Sequence, residues 1–278
     1  MPTASIRARS PRIVQSRQNA RVKELRSGFA RAARTENGYI SIEGEHLVSE
    51  AIASGLKLAA VFIRIGSESL LERLNLPEAA EILALPEDVF ESAVSTEVPQ
   101  GIAALVEPRE FGLEDVVRTH PVPLLIISAG LQDPGNLGTL IRSAEAFGAT
   151  GFVFLPGTVS LYNQKTLRAS SGSAFRLPSV AARPEELFAV LAARGIETFA
   201  AVASAGEPLM QHDLARPAAL ILGNEGNGIP AEILDHATSR ITIPTPGPVE
   251  SLNAAVAGSI LVYEAARQRQ SAAAENSR

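Results

Sequence analysis

Asp133, Asn136 and Arg142 fall within one short stretch directly after the apolar run Leu124–Ser128. Asn136 is placed to cap a helix there, and Arg142, one turn further in, can look out over the edge of a sheet. A second loop, Gly223-Asn224-Glu225-Gly226-Asn227-Gly228, also follows an apolar run and combines three glycines with two amides and a carboxylate. Its glycines let the backbone turn sharply and approach a ligand closely. The spacing is neither a dinucleotide fingerprint nor a phosphate loop ending in Lys-Ser/Thr. A third stretch, Ile243-Pro244-Thr245-Pro246-Gly247-Pro248, leads through Glu250, Ser251, Leu252 and Asn253 into a long helical pattern, which Ser251 or Asn253 can cap. A fourth, from Asn163-Gln164-Lys165 to Arg168-Ala169-Ser170-Ser171-Gly172, is polar and basic. Taken singly, each has an ordinary reading as a strand–turn–helix, a glycine turn or a proline-stiffened connection. What favours chemistry is that the first three all follow strands of one sheet.

Those strands are short apolar runs at Leu124–Ser128, Phe152–Leu155, Thr198–Val202, Ala219–Leu222 and Arg240–Ile243. Helical patterns at Leu137–Phe147, Pro184–Ala193 and Leu252–Arg269 alternate with them, which predicts a parallel, doubly wound sheet. Such sheets bind ligands beyond the carboxyl ends of their strands. Asn136 is the expected cap of the helix carrying Leu137, Leu140, Ile141 and Ala144 on one face, and Gly148 the expected terminator. Arg142 lies off that apolar face. Before this region stands a smaller α/β series: a basic helix over Asn19–Arg34, strands at Tyr39–Ile42, Ala59–Ile65, Glu81–Leu85 and Gly101–Val106, and helices at Glu45–Ala53 and near Ser69–Asn75. The polar stretch Pro108–Pro123 reads as a linker.

The 278 residues carry no cysteine, which removes disulfides, thiolate metal sites and covalent cysteine catalysis. Four scattered histidines give a zinc site little to build on. No apolar run reaches membrane-spanning length. Net charge is −5, yet residues 1–34 hold nine Arg and Lys against the single Glu24. That asymmetry predicts a nucleic-acid-binding arm, with a solvated tail and an Arg-rich transit peptide as the other readings.

The stretch Asp133-Pro134-Gly135-Asn136-Leu137-Gly138-Thr139-Leu140-Ile141-Arg142-Ser143-Ala144 resembles the first motif of the SpoU branch of SPOUT-class RNA methyltransferases. Gly223-Asn224-Glu225-Gly226 resembles the second, and Ile243-Pro244 with Glu250–Ala257 the third, although Thr245 and Ala255 replace a frequent methionine and serine. The resemblance covers about residues 121–270. Ile42–Val48 and Gln100-Gly101-Ile102 are similar to a ribosomal-protein-like RNA-binding domain often joined to that fold.

The resemblance implies an α/β architecture: a C-terminal trefoil-knotted, parallel-sheet methyltransferase domain over 121–270, and a smaller N-terminal α/β RNA-binding domain with its basic arm over 1–107. A linker at 108–120 and a polar tail at 271–278 complete the expected organisation. It further implies a cytoplasmic homodimer that uses S-adenosyl-L-methionine, without a metal, to methylate an RNA ribose 2′-hydroxyl, ribosomal RNA being favoured over transfer RNA. A base methyltransferase on the same fold and a non-catalytic RNA-binding factor are the competing expectations. Arg142, Asn136 and Glu225 are the implied catalytic residues. Gly223, Ile243 and Leu252 would touch the donor, with Asn224, Ser251 and Asn253 close by, and Gly223 would be a glycine because a side chain would fill the ligand's space. A guanidinium stays charged near neutral pH. Arg142 is therefore expected to stabilise a developing alkoxide and a neighbouring phosphate, while the proton leaves by phosphate or water.

Overall fold

A computed structural model of the chain describes residues 11–276. They form two units, one of residues 11–109 with Tyr162–Gln164, the other of residues 110–161 with 165–276.

The first unit runs β1 (Arg12–Ile13), α1 (Ala20–Arg31), β2 (Ile40–Glu43), α2 (Glu45–Ala53), β3 (Lys57–Arg64), α3 (Ser69–Glu72), β4 (Glu81–Leu85), α4 (Glu87–Glu91) and β5 (Ile102–Glu107). Its mixed sheet has the order β1-β4-β3-β5-β2, with β5 antiparallel to both β3 and β2. Asn19 caps α1 by accepting from the Arg21 amide at 2.9 Å. Val22, Leu25 and Phe29, at helical spacing, bury one face of α1 in a core with Phe62, Leu83 and Phe90. The basic segment is thus folded from Arg12 onward. β1 pairs in parallel with β4, and Val14 is buried in the same core. Arg7 and Arg9 lie outside the described residues.

The second unit begins with α5 (Leu113–Arg118), inside the stretch expected to be a linker over 108–120. Glu114 and Asp115 make this segment look polar, but Leu113, Val116 and Val117 are buried against Leu187 and Val153. The unit continues through β6 (Leu124–Ala129), α6 (Pro134–Ala146), β7 (Gly151–Phe154), α7 (Gln164–Ser170), α8 (Ser173–Arg176), β8 (Ser179–Ala181), α9 (Pro184–Ala193) and β9 (Glu197–Ala201). Then come β10 (Glu207–Pro208), β11 (Ala218–Gly223), α10 (Ala231–Leu234), β12 (Ser239–Thr242) and α11 (Ala254–Asn276). The seven strands are parallel in the order β10-β12-β9-β11-β6-β7-β8. β6 and β11 lie at the centre and are apolar and buried almost throughout, as a sheet covered on both faces requires.

Small residues set the helix packing. A Cβ on Gly258 of α11 would lie 3.0 Å from Leu222 and closer still to Leu140, so α11 can approach α6 and β11 only without one. The polar tail expected over 271–278 is helical as far as Asn276, continuing α11. Arg269 on that helix donates to four main-chain carbonyls: Val122 at 2.7 Å, Pro123 at 2.9 Å, Leu214 at 3.0 Å and Arg216 at 2.7 Å. Burial pulls its pKa below the ordinary arginine value. No helix among the described residues is long and apolar enough to cross a membrane.

Candidate active site

The three loops singled out in the sequence meet at the carboxyl ends of neighbouring strands. α6 follows β6 after a sharp turn and is capped by Asp133, whose carboxylate accepts from the Asn136 amide at 2.7 Å. The expectation that Asn136 caps this helix is therefore corrected. Pro134 occupies the first helical position, where its missing N–H is harmless, and Asp133 takes the cap. Asn136 is thereby inside the first turn with its side chain free for other contacts. The Lys165 ammonium 3.0 Å from Asp133 and the Asn136 amide hold the Asp133 carboxyl below its ordinary pKa.

The loop after β11 is a tight, self-braced turn. Asn224 and Gly228 exchange backbone hydrogen bonds of 2.9 Å, and the Asn224 side chain accepts from the Gly226 and Asn227 amides. Its Nδ2 donates to the Gly130 carbonyl at 3.0 Å, which ties this loop to the end of β6. Asn253 caps α11, accepting from the amides of Ala255 and Val256.

These pieces are joined by one line of side chains. Asn253 Nδ2 donates to Asn136 Oδ1 at 3.0 Å, and Asn136 Nδ2 donates to Glu225 Oε1 at 3.0 Å. The Gln132 and Asp133 amides each donate to Glu225 at 3.2 Å. Partial burial pushes the Glu225 carboxyl up, but the Asn136 amide and the surrounding main-chain N–H groups outweigh it and hold the pKa below the usual value.

Beside this line opens a cavity of about 480 Å³, within the size range of small-molecule sites. Gly223, Asn224, Ile243, Ser251, Leu252 and Asn253 all line it, as does Glu225. Leu252 and Ile243 offer apolar surface, whereas Glu225 and Glu250 place carboxylates at the same walls. Thr245 and Glu250, which the sequence reading did not assign to the site, also face it. Glycine at 223 has a different cause from the one expected. A Cβ there would collide with the main chain of Gly228 and Ile229, so the residue is small to let the loop fold back on itself. Arg142 does not line the cavity; it is exposed on α6 without a partner among the described residues. No three His, Cys, Asp or Glu side chains among the described residues converge as a metal site.

In the first unit the two quoted stretches also meet. Glu43 is buried and accepts from Thr96 Oγ1 at 2.6 Å and from the Gln100 amide at 3.1 Å, while the Gly44 amide donates to the Ile102 carbonyl at 2.9 Å. Gly44 has φ +101°, a conformation that favours glycine. Several cations of the arm are engaged within the unit. Arg12 pairs with Glu81 at 2.8 Å, Arg17 with Asp88 at 2.8 Å and Arg21 with Glu24 at 3.0 Å, and Arg26 donates to Ser92 at 2.7 Å. Lys23 is exposed and has no partner among the described residues.

The SpoU rRNA Methylase family matches residues 123–263, and the MRM3-like substrate binding domain matches residues 19–104. A Bacillus subtilis protein, the 23S rRNA (guanosine(2553)-2′-O)-methyltransferase RlmP, is 35% identical over 250 residues, covering 90% of this chain and 97% of its own. The AdoMet-bound rRNA methyltransferase from Sinorhizobium meliloti superposes with a TM-score of 0.79 at 29% identity, over 92% of this chain and 97% of that one. The SpoU methyltransferase AviRb from Streptomyces viridochromogenes, in complex with AdoMet, gives 0.78 at 26% identity over 91% and 99%.

Proposed function

The chain belongs to the SpoU rRNA methylase family, and from that premise we propose that it methylates a ribose 2′-hydroxyl of 23S ribosomal RNA in the cytoplasm, as a homodimer. It is an S-adenosylmethionine-dependent RNA methyltransferase with an N-terminal substrate-binding domain. The 23S rRNA target follows the activity of the B. subtilis relative, whose similarity spans both units.

The observation that carries the reading is the line Asn253–Asn136–Glu225, which joins all three motif loops at the edge of the cavity. Bound S-adenosylmethionine supplies a methyl group on a sulfonium, a leaving group that needs neither acid nor metal. The cavity suits such a molecule. Its volume is adequate, Leu252 and Ile243 can cover an aromatic base, and the Glu225 and Glu250 carboxylates favour a cation.

The protein then has two tasks, to orient the acceptor and to stabilise charge on it. Asn136 and Glu225 act as positioning residues whose groups are fixed by hydrogen bonds before substrate arrives. Arg142 stands six residues along α6 from Asn136, roughly 9 Å by helical rise. Its unpaired guanidinium is available to stabilise the developing alkoxide and an adjacent phosphate, the proton leaving to phosphate or water.

A second copy has a surface to cover. Val256, Ile260 and Tyr263 are exposed along one side of α11, and Tyr263 meets Phe147 edge-on at 5.4 Å. Together with Thr139 they line a shallow, almost wholly apolar groove.

Incubating the enzyme with labelled donor and total RNA from cells lacking it, then mapping the label, tests the target. Label at a ribose of 23S rRNA is expected. Label on a base, or in transfer RNA alone, overturns the reading.

A further inference from the structure

Residues 110–278 carry twelve Lys and Arg against sixteen Asp and Glu. The second unit therefore cannot draw RNA by a general positive field, and any phosphate contact must come from local cations. Most are already engaged. Arg118, Arg176, Arg194, Arg216 and Arg267 pair with carboxylates, and Arg269 is bound to carbonyls. Arg168 is exposed on α7 and, like Arg142, has no partner among the described residues.

The packing of α6 tells where Arg168 stands. A Cβ on Gly135 would lie 3.1 Å from Lys165, and one on Gly138 would lie 2.6 Å from the Ala169 Cβ. Farther along, Glu145 binds Arg176 of α8 at 2.6 Å. Contacts along α6 at 135, 138 and 145 thus advance in step with 165, 169 and 176. Arg142 is roughly 20° from Gly135 and 40° from Gly138 around the helix, so it belongs to the same side. Helical spacing between the contacts at 138 and 145 puts it level with the turn between α7 and α8, where Ser171 and Gly172 both have positive φ. Arg168 follows Lys165 by three residues, on the same edge of α7. Lys165 in turn reaches Asp133, the cap of the helix that presents Asn136.

We infer that Arg168 is a positioning residue for the RNA, its guanidinium holding a backbone phosphate beside the ribose presented to Arg142. This rests on the reading of the enzyme given above. The contact area is built, not incidental: Gly138 lets α7 close against α6, and the reversal at Ser171–Gly172 leads into α8, which Glu145 anchors. An arginine can hold phosphate with two parallel N–H groups, whereas a lysine contributes charge without the fork.

The test uses the full-length enzyme as Arg168→Ala and Arg168→Lys, with Arg183→Ala as control for the loss of a cation elsewhere. Methyl transfer is followed on in vitro transcribed 23S rRNA, and filter binding on fragmented total RNA across a salt series. Arg168→Ala should raise KM for RNA roughly 10- to 100-fold and reduce the salt slope of binding by about 0.7–0.9 for the one lost phosphate contact. Arg168→Lys should recover the slope but only part of KM. Donor affinity by calorimetry and the Tm should not move in either. An unchanged KM and salt slope in Arg168→Ala, a loss matched by Arg183→Ala, or a parallel loss of donor affinity would overturn the inference. Failure of the underlying reading looks different: wild-type enzyme would then label no RNA ribose, whatever residue 168 is.

Discussion

Arg142, Gly223 and Glu225 illustrate three ways in which one side chain, or its absence, matters. Arg142 is outside the cavity and unpaired, so Arg142→Ala should lower methyl transfer by roughly 10²–10³ while donor affinity stays within a factor of two or so. Single-turnover kinetics beside calorimetry separate the two, and a mutant retaining more than about a tenth of the rate contradicts the role. Gly223 carries a lesson about legibility. The residue type was readable as significant, but the steric reason was not, because it depends on Gly228 returning to the same place through the Asn224 turn. Gly223→Ala should therefore cost about 1–3 kcal/mol of stability, as overpacking does, and weaken donor binding with it. A thermal melt unchanged by this substitution would contradict the collision. Glu225 has a carboxyl held below its ordinary pKa, so its contribution is fully present above the usual carboxylate range. It is lost as pH falls through the depressed value of the folded protein. Donor affinity followed from neutral pH into acid should show that fall, and Glu225→Gln should remove its share of it.

At the level of elements, Asn136 and Asn253 sit on different helices and share a 3.0 Å hydrogen bond. A double-mutant cycle to alanine, read by donor affinity or stability, should give a coupling of about 0.5–3 kcal/mol; strict additivity would mean the bond contributes nothing. Arg269→Met should be among the most damaging changes on α11, because it leaves four carbonyls without their shared donor. Roughly 2–4 kcal/mol, or a Tm lower by several degrees, is expected. The central strands and the long helix were legible because Leu124–Ser128 and Ala219–Leu222 are uninterrupted apolar runs. α7 was not. Gln164–Ser170 has too little apolar periodicity and is held largely by the close approach that Gly138 allows. α5 was hidden by its acidic first turn, and the two-residue β1 by having no pattern to display. The three site loops were legible as a group, while the cap on α6 was misassigned by three residues because Asp133 and Asn136 are both good caps.

For the whole molecule, an apolar side of α11 open to water is the feature that bears on assembly. Ile260→Asp should shift the protein to monomer in sedimentation and reduce methyl transfer, whereas a wild-type monomer at micromolar concentration would remove the proposed homodimer. Of the positive charges near the N-terminus that are conspicuous in the sequence, Arg12, Arg17 and Arg21 are paired with Glu81, Asp88 and Glu24 in the folded unit. Truncating residues 1–16 would thus strip β1 and Val14 from a core as well as cations, and a Lys23→Ala variant is the cleaner probe of RNA binding. One consequence of the Asn253–Asn136–Glu225 line concerns time. Its members are separated by 89 and 117 residues, and the donor cavity needs both the β11 loop and the start of α11. A chain emerging from the ribosome with Asn136 and Glu225 already folded still lacks the amide that caps the last helix. On the proposed reading of the cavity, the protein gains the ability to hold its methyl donor only once synthesis has passed Asn253 and the start of α11, and a copy that stops short of them cannot sequester it.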